Sequence, residues 1–204
     1  MRSISLAGQS ITPSKILCVG RNYVAHISEL GNEIPDDMVV FIKPNSAIGD
    51  DLLATVDGEA LHYEGELVFL VSGNEFSAVG FGIDLTRRQL QSTLKQKGLP
   101  WERAKAFDGA ALFSDFVALP GPVDRLSLRL DINGQTTQSG GVESMIYKPD
   151  VILSELQAFT TLEDGDLVMT GTPAGVGAVQ RGQTFDGSVL LDDDIVVSAS
   201  WTAI

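Results

Sequence analysis

"LHYEGELVFLV", residues 61–71, decides how the chain is read. Its aromatic and β-branched residues, bounded by turn formers, predict a β-strand. Successive side chains on a strand point to opposite faces. One face then carries Leu61, Tyr63, Gly65, Leu67, Phe69 and Val71; the other carries His62, Glu64, Glu66, Val68 and Leu70. Both faces turn apolar toward the end, as in a strand covered on both sides. Two adjacent carboxylates on a buried strand raise each other's pKa, and burial adds to the cost. A hard divalent cation such as Mg²⁺, Mn²⁺ or Ca²⁺ removes the conflict, because its ligands are oxygens. The same pair also suits a strand whose start is wet and whose acids discourage edge pairing.

Outward from that stretch, short apolar runs alternate with Gly, Asp and Asn turns. "KILCVG", "MVVFIKP", "RLSLRLDINGQTTQ", "DLVMTGTP" and "DDDIVVSASWTAI" read as strands, and Asn133-Gly134 signals a hairpin. Helices are few. One spans residues 86–98, opening on Thr86 and Gln89 in capping-box spacing and stopping at Gly98 and Pro100. Another spans residues 149–160. No internal repeat or linker-like tract divides the chain. The expectation is one β-rich domain over residues 1–204, with residues 1–14 as a short lead-in.

Composition narrows the function classes. The 204 residues are enough for one real core. The net charge of -13, with no basic block, argues against a nucleic-acid partner and against a membrane surface. No run approaches the length of a membrane span. The single cysteine, Cys18, leaves no internal disulfide and fits a reducing compartment, so a cytoplasmic protein is expected.

Further candidates lie along the chain. Asp84 sits where an apolar segment gives way to the expected helix, either as its N-cap or as a third carboxylate beside Glu64 and Glu66. Six of the 14 Lys and Arg residues fall between 87 and 105, a local excess suited to a small anionic substrate. Lys95 and Lys97 read as a solvated helix face. Lys105, among Ala, Phe and Trp in "WERAKAFDGAALF", reads as functional or as snorkelling to the surface. The "TGTPAGVG" loop, residues 170–177, can present N–H groups and hydroxyls to an anion, or be a plain glycine-rich turn. It matches no nucleotide-binding spacing. His62 reads as a satisfied core imidazole. His26 and Glu29 are three apart, so on a helical turn the carboxylate meets and orients the imidazole as a general base requires. Surface pairs of this kind are also common.

Taken together, "CVGRNYVAHISE", "FIKPNSA", "HYEGELVFLV", "KGLPWERAKAFDGAA" and "LVMTGTPAGVG" resemble the fumarylacetoacetate hydrolase superfamily in order and spacing. The resemblance runs from about Lys15 to the C-terminus and is nearest the short acylpyruvase and oxaloacetate decarboxylase branch. It implies a β-rich α+β fold, a mixed β-roll, with a homodimer as the usual assembly. It implies Glu64, Glu66 and Asp84 as metal carboxylates for Mg²⁺ or Mn²⁺, and Lys105 as the catalytic lysine. It implies His26 and Glu29 as a water-activating dyad on a mobile lid, here Tyr23 to Glu33. Arg21, Arg88, Gln91, Gly171 and Thr172 match substrate-contacting positions. One departure stands out: the usual "D-x-T-x-R-D" reads "DLTRRQ", with Gln89 for the last Asp, which puts the support of Arg88 in question.

The expected chemistry is metal-dependent hydrolysis of a C–C bond in an acylpyruvate, through a pyruvate enolate stabilised by the metal and Lys105. Decarboxylation of oxaloacetate, or keto–enol isomerisation of a related 2-oxo acid, passes through a similar enolate and is the close alternative. The presence of the His26/Glu29 dyad tips the expectation to hydrolysis. A non-catalytic dicarboxylate-binding protein is the reading from another class; Lys105 and His26 argue against it.

Overall fold

The computed structural model describes residues 1–29 and 36–204. Residues 30–33 of the expected lid lie outside the described residues. The architecture is β-rich α+β and centres on a mixed, curled sheet. Along its main path the strands run Ala111–Phe113, Glu75–Asp84, Gly65–Ser72, Leu167–Met169, Lys15–Gly20 and Val39–Pro44. Leu167–Met169 lies parallel to Lys15–Gly20, while its other neighbour, Gly65–Ser72, is antiparallel. An antiparallel sheet of four strands packs against it, ordered Gln135–Gly141, Leu126–Ile132, Thr184–Leu191 and Asp194–Thr202. Phe69, Phe81, Leu128, Leu130 and Phe185 fill the space between the two sheets.

The stretch 61–71 is two strands rather than one. Glu59–Tyr63 belongs to a small sheet with Thr55–Val56, Thr86–Arg87 and Gly177–Ala178. Gly65–Ser72 enters the large sheet. Glu64 is the break between them. Gly65 allows the crossing: a Cβ there would lie 3.0 Å from Phe81 Cζ and 3.1 Å from Gln138 Oε1. The N–H of Gly65 donates instead to Gln138 Oε1, at 2.9 Å.

Four α-helices are described: α1 (Val24–Glu29), α2 (Arg88–Gln96), α3 (Glu102–Lys105) and α4 (Pro149–Phe159). α2 begins two residues later than expected, and no side chain of its N-cap residue caps it. Thr86 is spent on the small sheet and on Glu64, and Gln89 is exposed, so the expected capping box does not form. Glu59 serves instead: its Oε1 accepts the Leu90 N–H at 3.1 Å. The hairpin at Asn133-Gly134 forms as expected, with φ of 51° and 77° at its turn. Among the elements without a clear signal are the Glu75–Asp84 strand, the Thr184–Leu191 strand, and an N-terminal hairpin of Ile4–Leu6 with Gln9–Ile11 inside the lead-in. Among the described residues no helix is long and apolar enough to cross a membrane.

Candidate active site

The break at Glu64 builds the site. Glu64 and Glu66 flank the glycine at which the chain passes from one sheet to the other, and both are buried. The neighbouring strand ends on Asp84, whose N–H donates to the Glu64 carbonyl at 2.8 Å. Asp84 is therefore no helix cap; it is fully buried beside the two glutamates. One oxygen from each of the three carboxylates falls within 4.8 Å of the others.

Two lysines answer these acids. Lys105 Nζ, at the end of α3, donates to Glu64 Oε2 at 2.8 Å, Asp84 Oδ2 at 2.7 Å and Thr86 Oγ1 at 2.6 Å. It does not snorkel; only 2% of the residue is exposed. Burial alone would lower its pKa, but Asp84 and Glu64 raise it, so it carries its charge. Lys43, also buried, donates to the Lys105 carbonyl and, at 3.1 Å, to the Ala110 carbonyl. Its Nζ lies 2.9 Å from Asp84 Oδ1. The two form a fully buried ion pair. Arg88 donates to Glu64 Oε1 and, at 2.8 Å, to Gln91 Oε1. The support in question at Gln89 thus comes from Gln91.

The carboxylates are unlike. Burial would raise the pKa of Glu64, but Lys105 and then Arg88 hold it well below the usual carboxylate range. At Glu66, burial and the charges of Asp84 and Glu64 all push upward, and they prevail over the Gly171 N–H. That N–H donates to Glu66 Oε2 at 2.7 Å. Gly171 has φ of 97°, and a Cβ there would lie 2.9 Å from Asn22 Cβ, so the loop needs a glycine. The N–H of Gly175 reaches both oxygens of Glu29, at 3.0 and 3.2 Å. The glycine-rich loop therefore presents its N–H groups to the protein's own carboxylates. The Thr172 hydroxyl donates to the Gly65 carbonyl at 2.9 Å and accepts from Gln138 at 2.8 Å.

His26, on α1, is buried and lines the same cleft. Its Nδ1 lies 3.3 Å from Glu29 Oε2. A carboxylate only accepts, so Nδ1 is the donor and Nε2 is left as the basic nitrogen. Burial lowers the His26 pKa below 6.5, against the opposing pull of Glu64 and Glu29. The imidazole is thus neutral near pH 7. His62, in contrast, is half-buried on the small sheet and is not part of the cleft lining.

The expected site residues line this cleft, with Arg21, Gln91, Gly171 and Thr172 in its wall, except Glu29, which is exposed and meets it only through His26. Sequence reading missed Lys43, Thr86, Gln138 and Lys95. Lys43 lay in the quoted "FIKPNSA", where a lysine inside an apolar run was the available signal. Lys95 is not on a solvated face: it lines the cleft with Trp101 and Phe41.

The donor set fits a divalent cation. It is all oxygen, buried and carboxylate-rich, and the crowding at Glu66 is what a bound cation relieves. A larger open groove lies by Met1, Arg2, Asp50, Asp51 and Asp108. It holds acids without comparable buried cations, and the chemistry gathers elsewhere.

A family model described as fumarylacetoacetate (FAA) hydrolase C-terminal matches residues 15–203. An oxaloacetate tautomerase of Escherichia coli (strain K12), YcgM, is 37% identical, over 87% of this chain and 90% of its own. The human mitochondrial oxaloacetate tautomerase FAHD1 is 36% identical, over 85% of this chain and 86% of its own. Among solved structures, fumarylpyruvate hydrolase from Pseudomonas aeruginosa, in complex with Mn²⁺ and pyruvate, matches with a TM-score of 0.90. It is 30% identical, with 100% of this chain and 95% of that one covered.

Proposed function

The chain belongs to the fumarylacetoacetate hydrolase family and is an enzyme of that family, and from that premise we propose that it interconverts the keto and enol forms of oxaloacetate or a close 2-oxo diacid. The observation that carries this is the Lys105 ammonium, buried and fixed by Glu64 and Asp84 beside a carboxylate set suited to a divalent cation. Glu64, Glu66 and Asp84 would hold Mg²⁺ or Mn²⁺. Such a cation supplies Lewis-acid polarisation of the 2-oxo group. His26 Nε2 takes the proton from C3, and the electron pair moves to the 2-oxo oxygen as the C2–C3 double bond forms. Lys105 stabilises the enolate by its fixed charge, in a dry setting where such a charge acts strongly. Protonation of that oxygen completes the enol, and the reverse path returns the ketone. Arg21, Arg88 and Gln91 would bind and orient the acid, while Gly171 and Thr172, whose N–H and hydroxyl are taken by Glu66 and Gly65, would shape the wall beside it.

This departs from the expectation of hydrolysis drawn from the sequence. Relatives named oxaloacetate tautomerase support the enolisation alternative more closely. Acylpyruvate hydrolysis is the second reading, and the His26–Glu29 pair favours it, since the same nitrogen can take a proton from water. The P. aeruginosa neighbour, named fumarylpyruvate hydrolase, also speaks for it. Assaying enol-oxaloacetate decay and acetylpyruvate cleavage side by side, with Mg²⁺, separates the two. Dominant cleavage would transfer the proposal to hydrolysis. A homodimer is part of the proposal, and light scattering in solution tests it.

A further inference from the structure

The α2 face that closes the cleft carries Arg88, Gln91 and Lys95, spaced three and four residues apart and so aligned in one stripe. The charges on this stripe are answered unequally. Arg88 pairs with Glu64, and Lys105 behind it pairs with Glu64 and Asp84. Lys95 and Arg21 form no ion pair among the described residues. Lys95 Nζ instead sits 4.8 Å from the centroid of the Trp101 ring. Trp101 packs against Phe41 at 5.9 Å between centroids, and Lys105 Nζ is 5.3 Å from the Phe41 centroid. The two ammonium groups thus stand on neighbouring rings of one aromatic wall, Lys105 at the buried end and Lys95 at the half-buried end.

Arg21 converges on the same end. Its backbone is left-handed, with φ of 57°, a conformation a non-glycine residue adopts at a cost. Its Nε is buried with no hydrogen-bond partner among the described residues. Cations drawn together in a partly dry place, with no ion-pair partner among the described residues, are unfavourable until an anion joins them. We propose that Lys95, aided by Arg21, is the specificity-determining residue that binds the second, distal carboxylate of a dicarboxylic 2-oxo acid. The 2-oxo acid head lies by Lys105 and the acids, and the chain of the substrate runs along Phe41 and Trp101. The Lys95 pKa agrees with this: burial first, then Arg21 and Arg88, bring it down to about 8, and a bound carboxylate would restore it. The proposal rests on the reading of this cleft as the 2-oxo acid site and extends it to the substrate's far end.

Calorimetric binding to the Mg²⁺-loaded full chain tests it without turnover. The probes are 3,3-difluoro-oxaloacetate, which has no enolisable hydrogen, and its 4-methyl ester, which lacks the distal charge. The wild type is expected to bind the diacid more tightly by about 10- to 100-fold, the range of a charge-assisted hydrogen bond. Lys95→Met should abolish that preference and leave ester affinity unchanged; Lys95→Arg should keep part of it. Lys97→Met, on an exposed position of the same segment, should change neither affinity. Equal weakening of both probes by Lys95→Met, a preference that survives it, or no preference in the wild type would each overturn the assignment. An enzyme inactive on oxaloacetate that still lost its diacid preference in Lys95→Met would uphold the subsite and overturn the proposed reaction instead.

Discussion

At Glu66, burial and two neighbouring carboxylates act in one direction, and this has a consequence for stability. A folded-state pKa raised above the unfolded value gives stability that is complete at low pH and is lost as pH rises. In chelating buffer at pH 8, Glu66→Gln should therefore melt above the wild type; an equal or lower Tm would contradict the charge crowding. Added Mg²⁺ should raise the Tm of the wild type and not of the variant. His26 carries the opposite sign. Its pKa is lowered, and its neutral form is the base, so kcat/KM should fall only as pH drops below 6.5. A limb centred at 6.5 or above in the pH–rate profile would remove His26 as that group. His26→Ala should cost about 10²- to 10⁴-fold in rate. The paired glutamates were legible because they are two residues apart on an otherwise apolar stretch. Lys95 was not, because its reading turns on which side of α2 meets Trp101, and helical spacing alone does not say which face is covered.

The elements that shape the site meet at Gly65. Two strands of different sheets join there, and Gln138 from a third sheet holds the joint. Its amide accepts from the Gly65 N–H and donates to Thr172 Oγ1 and the Pro173 carbonyl. Gln138→Ala strands these buried groups and should cost about 1–3 kcal/mol in denaturant unfolding; a loss below 0.5 kcal/mol, on the order of a surface change, would deny it that role. The period-two pattern over residues 61–71 runs across the joint without a fault, so alternation alone could not reveal the break. Gly65 was the one local sign. The capping box at Thr86 and Gln89 failed for a related reason: the Thr86 hydroxyl serves Glu64 and Lys105, and a glutamate distant in sequence caps α2.

Across the whole molecule, the site draws on residues from 21 to 172, and the mixed sheet is what brings them together. The Lys15–Gly20 and Val39–Pro44 strands and the hairpin at Asn133-Gly134 were readable from composition and turn chemistry. Strand order was not, because which strands pair depends on burial shared between distant segments rather than on any local preference. The acids and Lys105 were recognisable as candidates, whereas Lys43, buried and bonded to the Lys105 carbonyl, became visible only through that packing. The central claim is that this assembly drives enolisation through Lys105. The direct measurement is the ultraviolet decay of enol-oxaloacetate with Mg²⁺, comparing wild type, Lys105→Met and a protein-free control. The wild type should accelerate the decay far beyond Mg²⁺ alone, with the acceleration lost in Lys105→Met and on chelation. Decay no faster than the protein-free control, or a Lys105→Met variant as fast as the wild type, would contradict it.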